Sequence, residues 1–346
     1  MNHLNRHSAN GVAKACLSGL LLASTSASAA TWCVHTAADF RAKLALAESN
    51  GESDIIQLVR GTYAVAGDEF TFTSTEAFDL VINGDFDPTC TKTGHDPHAT
   101  ILDGGGLTQV LRTDSSGGVT VRYVTVQNGF RSGSDGGGMQ MNGTGAATLA
   151  LNIFRNNASD FSVGAGYVGV GGDVRISGNL IVGNHAPGVG GFYVFLGASA
   201  LADLTNNTIV GNSVTNPASG TIMFFNYSVG TLPAVFASNN IFWGNTTHSD
   251  LEFLDGLAQL HNNDYSSIMG SPDSGSAANQ SIDPMFAAAH DFHLKPASPL
   301  LGAGTVSPHG GLNNNDIEGH DRTFNGLVDM GAYERGDKIF DDGFEP

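Results

Sequence analysis

Between residues 123 and 245 the chain alternates short apolar runs with polar turns, and one six-residue phrase returns five times. Its versions are Y-V-T-V-Q-N at 123–128, N-I-F-R-N-N at 152–157, N-L-I-V-G-N at 179–184, N-T-I-V-G-N at 207–212 and N-I-F-W-G-N at 240–245. The closing Asn recurs after 29, 27, 28 and 33 residues. A glycine cluster followed by bulky residues lies between phrases, as in Gly136-Gly137-Gly138-Met139, Gly164-Ala165-Gly166-Tyr167 and Gly190-Gly191-Phe192-Tyr193, with Gly220-Thr221-Ile222-Met223 as a weaker copy. A short alternating run then follows, at 148–151, 173–176, 200–204 and 233–237.

A unit this short cannot enclose a core alone, so it must stack on its neighbours. Three short apolar runs per unit, separated by Gly, Asn, Ser or Asp, read as strand, turn, strand, turn, strand. That pattern predicts an all-β fold, a three-sided parallel β-helix in which each strand pairs with its counterpart about 4.8 Å along the stack. Val174 and Ile176 are expected to face a shared core, with Asp173 and Arg175 in water. Asn128, Asn157, Asn184, Asn212 and Asn245 are expected at one corner of successive coils. There each amide can bond the corner backbone and the next Asn along the stack, and Asn tolerates left-handed dihedrals. The glycines are expected at another corner, where φ is positive.

In chain order, residues 1–30 read as a secretory signal peptide, with Arg6 and Lys14 ahead of an apolar run and small-residue cleavage sites at 27–30. Residues 31–53 read as an N-terminal cap with a short helix from Thr36 to about Asn50, opened by a Thr36/Asp39 capping box. The β-helix coils span 54–281, roughly seven to nine of them in a rod of about 35–40 Å, interrupted by a loop at 85–98. Residues 282–335 read as an irregular C-terminal cap, and 336–346 as an acidic tail, a sorting tag or a frayed terminus.

The 46 glycines and the 14% charged residues suit turns and polar ladders better than helical domains. The net charge is −18, and loss of Arg6 and Lys14 with the signal takes it to about −20, which argues against nucleic acid as a partner. An acidic polysaccharide would need a local basic patch or a bridging Ca²⁺. Export leaves Cys33 and Cys90, an even count that points to a disulfide, with a reactive thiol pair as the alternative. Apart from the signal, no apolar segment is long enough to span a membrane.

The phrases with Gly-Gly-Gly-Met ahead and Phe154-x-x-Asn157 or Phe242-x-x-Asn245 behind resemble the repeats of polymorphic outer-membrane proteins. The segment with Asp283-Pro284-Met285-Phe286, Ser298-Pro299 leading to Gly304, and Asp329-Met330-Gly331-Ala332-Tyr333-Glu334 resembles the end of bacterial choice-of-anchor Q proteins. The opening D-I-I-Q-L-x-x-G-T-Y at 54–63 fits that group too. The resemblance covers about residues 31–334. It implies an exported right-handed β-helix of the pectin-lyase type with no agreed activity, in which Asp283, Asp329 and Glu334 fasten the cap to the last coils.

Such folds include polysaccharide lyases and hydrolases. The loops after each closing Asn are expected to line up on one ridge. They carry Phe130, Arg131 and Asp135, then Asp160 and Phe161, then His185, and later Asp250. Asp135, Asp160, Arg131 and His185 are the candidates for acid–base work, and Phe130, Phe161 and Asp250 for glycan or Ca²⁺ binding. Exposed ridge loops are commonly polar, and nothing in the sequence makes these side chains converge. Asp316, Glu318, His320 and Asp321 read as solvated charge in the cap. No zinc motif, nucleophile elbow or phosphate loop is present. Two readings result: an exported, non-catalytic, adhesin-like or glycan-binding rod, and, as the alternative, a lyase or hydrolase of uronate-containing polymers assisted by Ca²⁺.

Overall fold

The computed structural model describes residues 29–226 and 232–335. The signal expected at 1–30, apart from its last two residues, and the tail expected at 336–346 lie outside the described residues.

The chain winds through three parallel faces in turn. The first face carries Ala30–Val34, Asp54–Val59, Leu80–Phe86, Val119–Arg122, Ala147–Ala150, Val174–Ser177, Ala202–Thr205 and Pro233–Ser238. The second is a seven-stranded sheet running from Gly61–Ala64 to Ile241–Trp243. The third carries Phe70–Ser74, Leu111–Ser115, Met139–Gly143, Gly166–Val170, Phe192–Leu196 and Gly220–Asn226. One long strand, Ser249–His261, pairs with the last strands of both the first and third faces and joins them into a sixteen-stranded sheet. Between the second and third faces, Phe130–Arg131, Ala158–Ser159, His185–Ala186 and Ser213–Val214 form a narrow four-stranded ridge.

Register is kept coil after coil. Val121, Leu149, Ile176, Leu204 and Ala237 are successive partners on the first face, each at most 1% exposed. Val174 and Ile176 lie in the core while Arg175, between them, points outward. The pattern follows from side chains alternating across each strand, so every coil adds its inward set to one continuous apolar interior.

Two asparagine columns run down the corners of the second face. Asn157 Nδ2 donates to Asn184 Oδ1 at 3.0 Å, Asn184 to Asn212 at 3.0 Å and Asn212 to Asn245 at 3.1 Å. The same oxygens accept the backbone N–H of the previous Asn, while each amide also donates to a carbonyl one coil back. Asn128 does not belong to this column. In the paired register Gly129 occupies the ladder position and its N–H donates to Asn157 Oδ1 at 2.9 Å, while Asn128 bonds Asp103. The ladder residues are not themselves left-handed either. That conformation falls on the residue before each: Asn128, Asn156, Gly183, Gly211 and Gly244, with φ between 51 and 65°. The second column, unforeseen from the sequence, uses the opening Asn of each phrase: Asn152, Asn179, Asn207, Asn240, Asn263 and Asn279, linked at 2.8 to 3.2 Å.

The clustered glycines serve chiefly for close approach. Gly136 alone of its cluster has positive φ, at 76°, whereas a side chain at Gly137 would run into the backbone of Ala158 in the next coil.

The helix Ala37–Ala47 is the α-helix among the described residues. Thr36 Oγ1 accepts from Asp39 N–H at 3.1 Å, and Phe40, Leu44 and Ala47 are buried against the first windings. The start of the segment expected as the cap forms a strand, Ala30–Val34, that extends the first face by pairing with Asp54–Val59. Cys33 and Cys90 form a disulfide that ties this strand to the 85–98 loop.

Residues 282–335 do not close the end of the stack; they lie along its flank. Phe292, Ile317, Ala332 and Tyr333 pack on Ile153, Leu180 and Val210, and Leu294, Leu300 and Met330 pack on Ile241. Those second-face residues point outward and are apolar, so the surface must be covered. Asn206 Nδ2 donates to Asp329 O at 3.0 Å, and His309 Nδ1 lies 2.6 Å from Asp203 Oδ1.

Inside this flanking segment His293 sits 2.5 Å from Asp291 and 3.0 Å from Glu318, with its ring tilted against Tyr333. Chiefly the bond to Glu318, with Asp291 adding to it, raises its pKa to about 9. A raised folded-state pKa stabilises the fold below the unfolded value of about 6.5 and loses that contribution as pH climbs through 9. A His293→Gln variant should therefore melt below the parent at about pH 6 and match it at about pH 10. A gap of equal size at both pH values would show that the imidazolium is not what matters.

Candidate functional site

The structure places each residue predicted for the ridge, and most of them are engaged within it. Arg131 Nη1 lies 2.7 Å from Glu69 Oε2, an ion pair that anchors the first ridge strand. Asp160 accepts Ser132 Oγ and Gly133 N–H, both at 2.7 Å, which hold its carboxyl below the usual carboxylate range and staple neighbouring loops. His185 Nδ1 lies 2.9 Å from Ser213 Oγ in the next coil. Asp250 is 4% exposed and ends the asparagine ladder, taking Asn245 Nδ2 at 3.3 Å and Ser266 N–H at 2.7 Å. Phe130 is half-buried and Phe161 is 57% exposed. These contacts tie neighbouring coils of the ridge together. Among the described residues no cluster of three or more His, Cys, Asp or Glu is placed to hold a metal ion.

Asp135 differs from the others. Burial raises its pKa despite a bond from Ser162, Oδ1 has no hydrogen-bond partner, and its charge in turn adds to the raised pKa of Tyr167. It therefore sits at the border between the ridge and the outer surface of the third face.

That surface is the feature missed from the sequence. The pairing puts Arg112, Gln140, Tyr167, Tyr193, Met223 and Glu252 in one outward column. Asp114, Asn142, Gly169, Phe195, Phe225 and Leu254 form the column beside it. Arg112 and Asp114 are exposed; Gln140, Asn142, Tyr167, Tyr193, Phe195 and Phe225 are half-buried. At strand spacing the columns run about 24 Å.

The geometry has three parts. Tyr167 lies across Gly169, where an added methyl would meet its ring at 2.6 Å, so the glycine makes room for the phenol to lie over the sheet. Tyr167 and Tyr193 have centroids 5.6 Å apart at 55°. Phe195 and Phe225 stack at 5.4 Å and 9°, forming an apolar wall. The amides and charges of Gln140, Asn142, Arg112 and Asp114 continue the same columns towards the N-terminal end. Aromatic surface next to planar hydrogen-bonding groups suits a ligand with an apolar face and a polar rim. The available signal was the alternation in G-Y-V-G-V at 166–170 and F-Y-V-F-L at 192–196, where every second bulky residue must face outward.

Compared with known proteins, the chain matches no family model and no curated protein. No helix among the described residues is long and apolar enough to cross a membrane.

Proposed function

We propose that this chain is an exported, non-catalytic rod that binds glycan along the outer surface of its third face. The observation that carries the reading is the pair of outward columns in which Tyr167, Tyr193, Phe195 and Phe225 continue into Gln140, Asn142, Arg112 and Asp114. A pyranose has an apolar C–H face and a hydroxyl rim, and the repeat of the columns approximates the length of one sugar unit. Successive sugars of a chain laid along the rod can meet successive coils. The motif resemblance to exported β-helix proteins and the Cys33–Cys90 bridge, a bond favoured in oxidising compartments, support export. The internal engagement of Arg131, Asp160 and Asp250 supports binding over turnover, because groups already held by neighbours are poorly placed to move protons.

The test is a glycan array, followed by calorimetry on the glycans retained, together with a screen for reducing-sugar or unsaturated products with and without Ca²⁺. A Tyr167→Ala/Tyr193→Ala double variant should keep its melting temperature and lose about tenfold or more in affinity, since each lost ring contact is worth on the order of 1 kcal/mol. Undiminished affinity in that variant would refute the binding surface, and product formation would refute the non-catalytic reading.

A further inference from the structure

A pocket of about 260 Å³ lies at the C-terminal end of the ridge, lined by Phe242, Trp243, Asp250, Asp264, Tyr265 and Ser266 among others. It shares no residue with the third-face columns. Two carboxylates line it, and no lysine, arginine or histidine does.

The two acids differ in how they are satisfied. Asp250 Oδ2 accepts Ser266 N–H at 2.7 Å, Ser266 Oγ at 2.9 Å and Ser267 N–H at 3.3 Å, and Oδ1 accepts Asn245 Nδ2 at 3.3 Å. Asp264 is 1% exposed; Oδ1 accepts Ile282 N–H at 2.9 Å, while Oδ2 has no hydrogen-bond partner. Burial first, and then the charges of Asp250 and Asp283, raise the Asp264 carboxyl to about 6. At neutral pH it is a buried anion with one bare oxygen beside a second carboxylate, an arrangement that costs free energy until a cation or a donor fills it. Three aromatic side chains share the remaining wall with Asn245, Ser266 and Ser281. Trp243, 39% exposed, stands at the mouth, with Tyr265 half-buried and Phe242 inside. Ring faces attract organic cations. A Ca²⁺ ion would need six to eight converging oxygens, whereas the four bonds already made to Asp250 occupy that carboxylate and only two acidic residues line the pocket.

We infer that this pocket binds a primary ammonium group, which donates to Asp264 Oδ2 while its carbon skeleton packs on Trp243. Two sources share that chemistry, an amino sugar and an aliphatic amine such as a lysine side chain, and the experiment separates them.

Calorimetry on the full chain with glucosamine, n-butylamine and glucose, at about pH 7 and about pH 5, tests the site. At least one amine should bind at the higher pH and glucose should not. Binding should weaken about tenfold at the lower pH as Asp264 takes up its proton. Asp264→Asn should abolish amine binding, and Trp243→Ala, at the exposed mouth, should weaken it severalfold without changing the circular dichroism. Should Asp264→Asn fail to fold, the Trp243 variant and the pH dependence decide. Binding of glucosamine alone assigns an aminated glycan, and binding of n-butylamine, alone or with glucosamine, a simple amine. Failure of both amines to bind at about pH 7, equal binding of glucose and glucosamine, or amine binding untouched by the substitutions and by pH overturns the assignment. These outcomes are independent of the third-face columns, whose test uses different residues.

Discussion

Replacing Arg322 with methionine is expected to strip residues 282–335 from the flank of the coil. Arg322 is 1% exposed. It donates to Gly331 O at 3.0 Å and Ala332 O at 2.7 Å, and lies 3.5 Å from Glu334 Oε2. Glu334 is 4% exposed and accepts Asp329 N–H at 3.1 Å. Burial, with Asp329 beside it, already raises Glu334 to about 8. Without the guanidinium two buried carbonyls lose their donors and nothing cationic is left against Glu334, which stays in its neutral form. At about 1–3 kcal/mol for each buried group left unsatisfied, a loss of roughly 3–5 kcal/mol is expected. Because Gly331 N–H also bonds Asn239 O at 2.7 Å and Ala332 N–H bonds Thr208 Oγ1 at 2.9 Å, the loss should propagate to the contact with the second face. Limited proteolysis should cut within 282–335 while the coil stays intact, and urea titration should show an early transition. A loss below about 1 kcal/mol with no new cleavage would mean that apolar packing holds the segment without the buried network.

The second large effect lies inside the coil. Asn184 is fully buried. Its oxygen accepts the N–H and Nδ2 of Asn157, both at 3.0 Å, and its nitrogen donates to Phe154 O at 2.9 Å and Asn212 Oδ1 at 3.0 Å. Asn184→Ala takes the acceptor from the Asn157 N–H and a donor from the Phe154 carbonyl, and leaves the side-chain amides of Asn157 and Asn212 with one bond fewer, in a place water does not reach. At about 1–3 kcal/mol for each buried group left unsatisfied, with partial relaxation, a loss of roughly 3–5 kcal/mol is expected. Asn128→Ala, off the column and half-buried, should cost far less, about 1 kcal/mol, although its φ of 51° favours Asn over Ala. Chemical denaturation of the two variants side by side checks the difference. Equal losses would mean that the buried column is worth no more than a surface turn.

The closing Asn was legible because it repeats at near-constant spacing and a stacked coil gives that repeat one position in space. The first phrase was misread by one residue because it lacks the opening Asn: Val124 stands where later phrases carry it, so nothing local marks the shift. Only the pairing of Thr125 with Ile153 reveals that Gly129 takes the ladder position. The second Asn column was in plain view in N-x-x-x-x-N, but either end of the phrase satisfies the same argument about corners. The placement of the C-terminal segment was harder to read. Ile153 and Phe154 are adjacent apolar residues, so one must point outward and need a cover, and the sequence does not say what provides it. The contacts of the ridge residues were hidden for a related reason. The partner that engages Arg131 is Glu69, two windings earlier in the chain, and the partners of Asp160 are Ser132 and Gly133 in the preceding coil. The aromatic columns went unseen because the search for a site was confined to the ridge loops, although strand alternation sends half of the bulky residues after each glycine cluster outward.

Hydroxyl-radical footprinting of the side chains, read by mass spectrometry with and without a glycan retained on the array, tests the binding surface most directly. Tyr167, Tyr193 and Met223 should be shielded from oxidation when the glycan is present, while Phe161 on the ridge and Leu327 in the flanking segment, both more than half exposed, should oxidise at an unchanged rate. Shielding confined to Phe161 or Leu327, with the third-face tyrosines unaffected, would contradict the account.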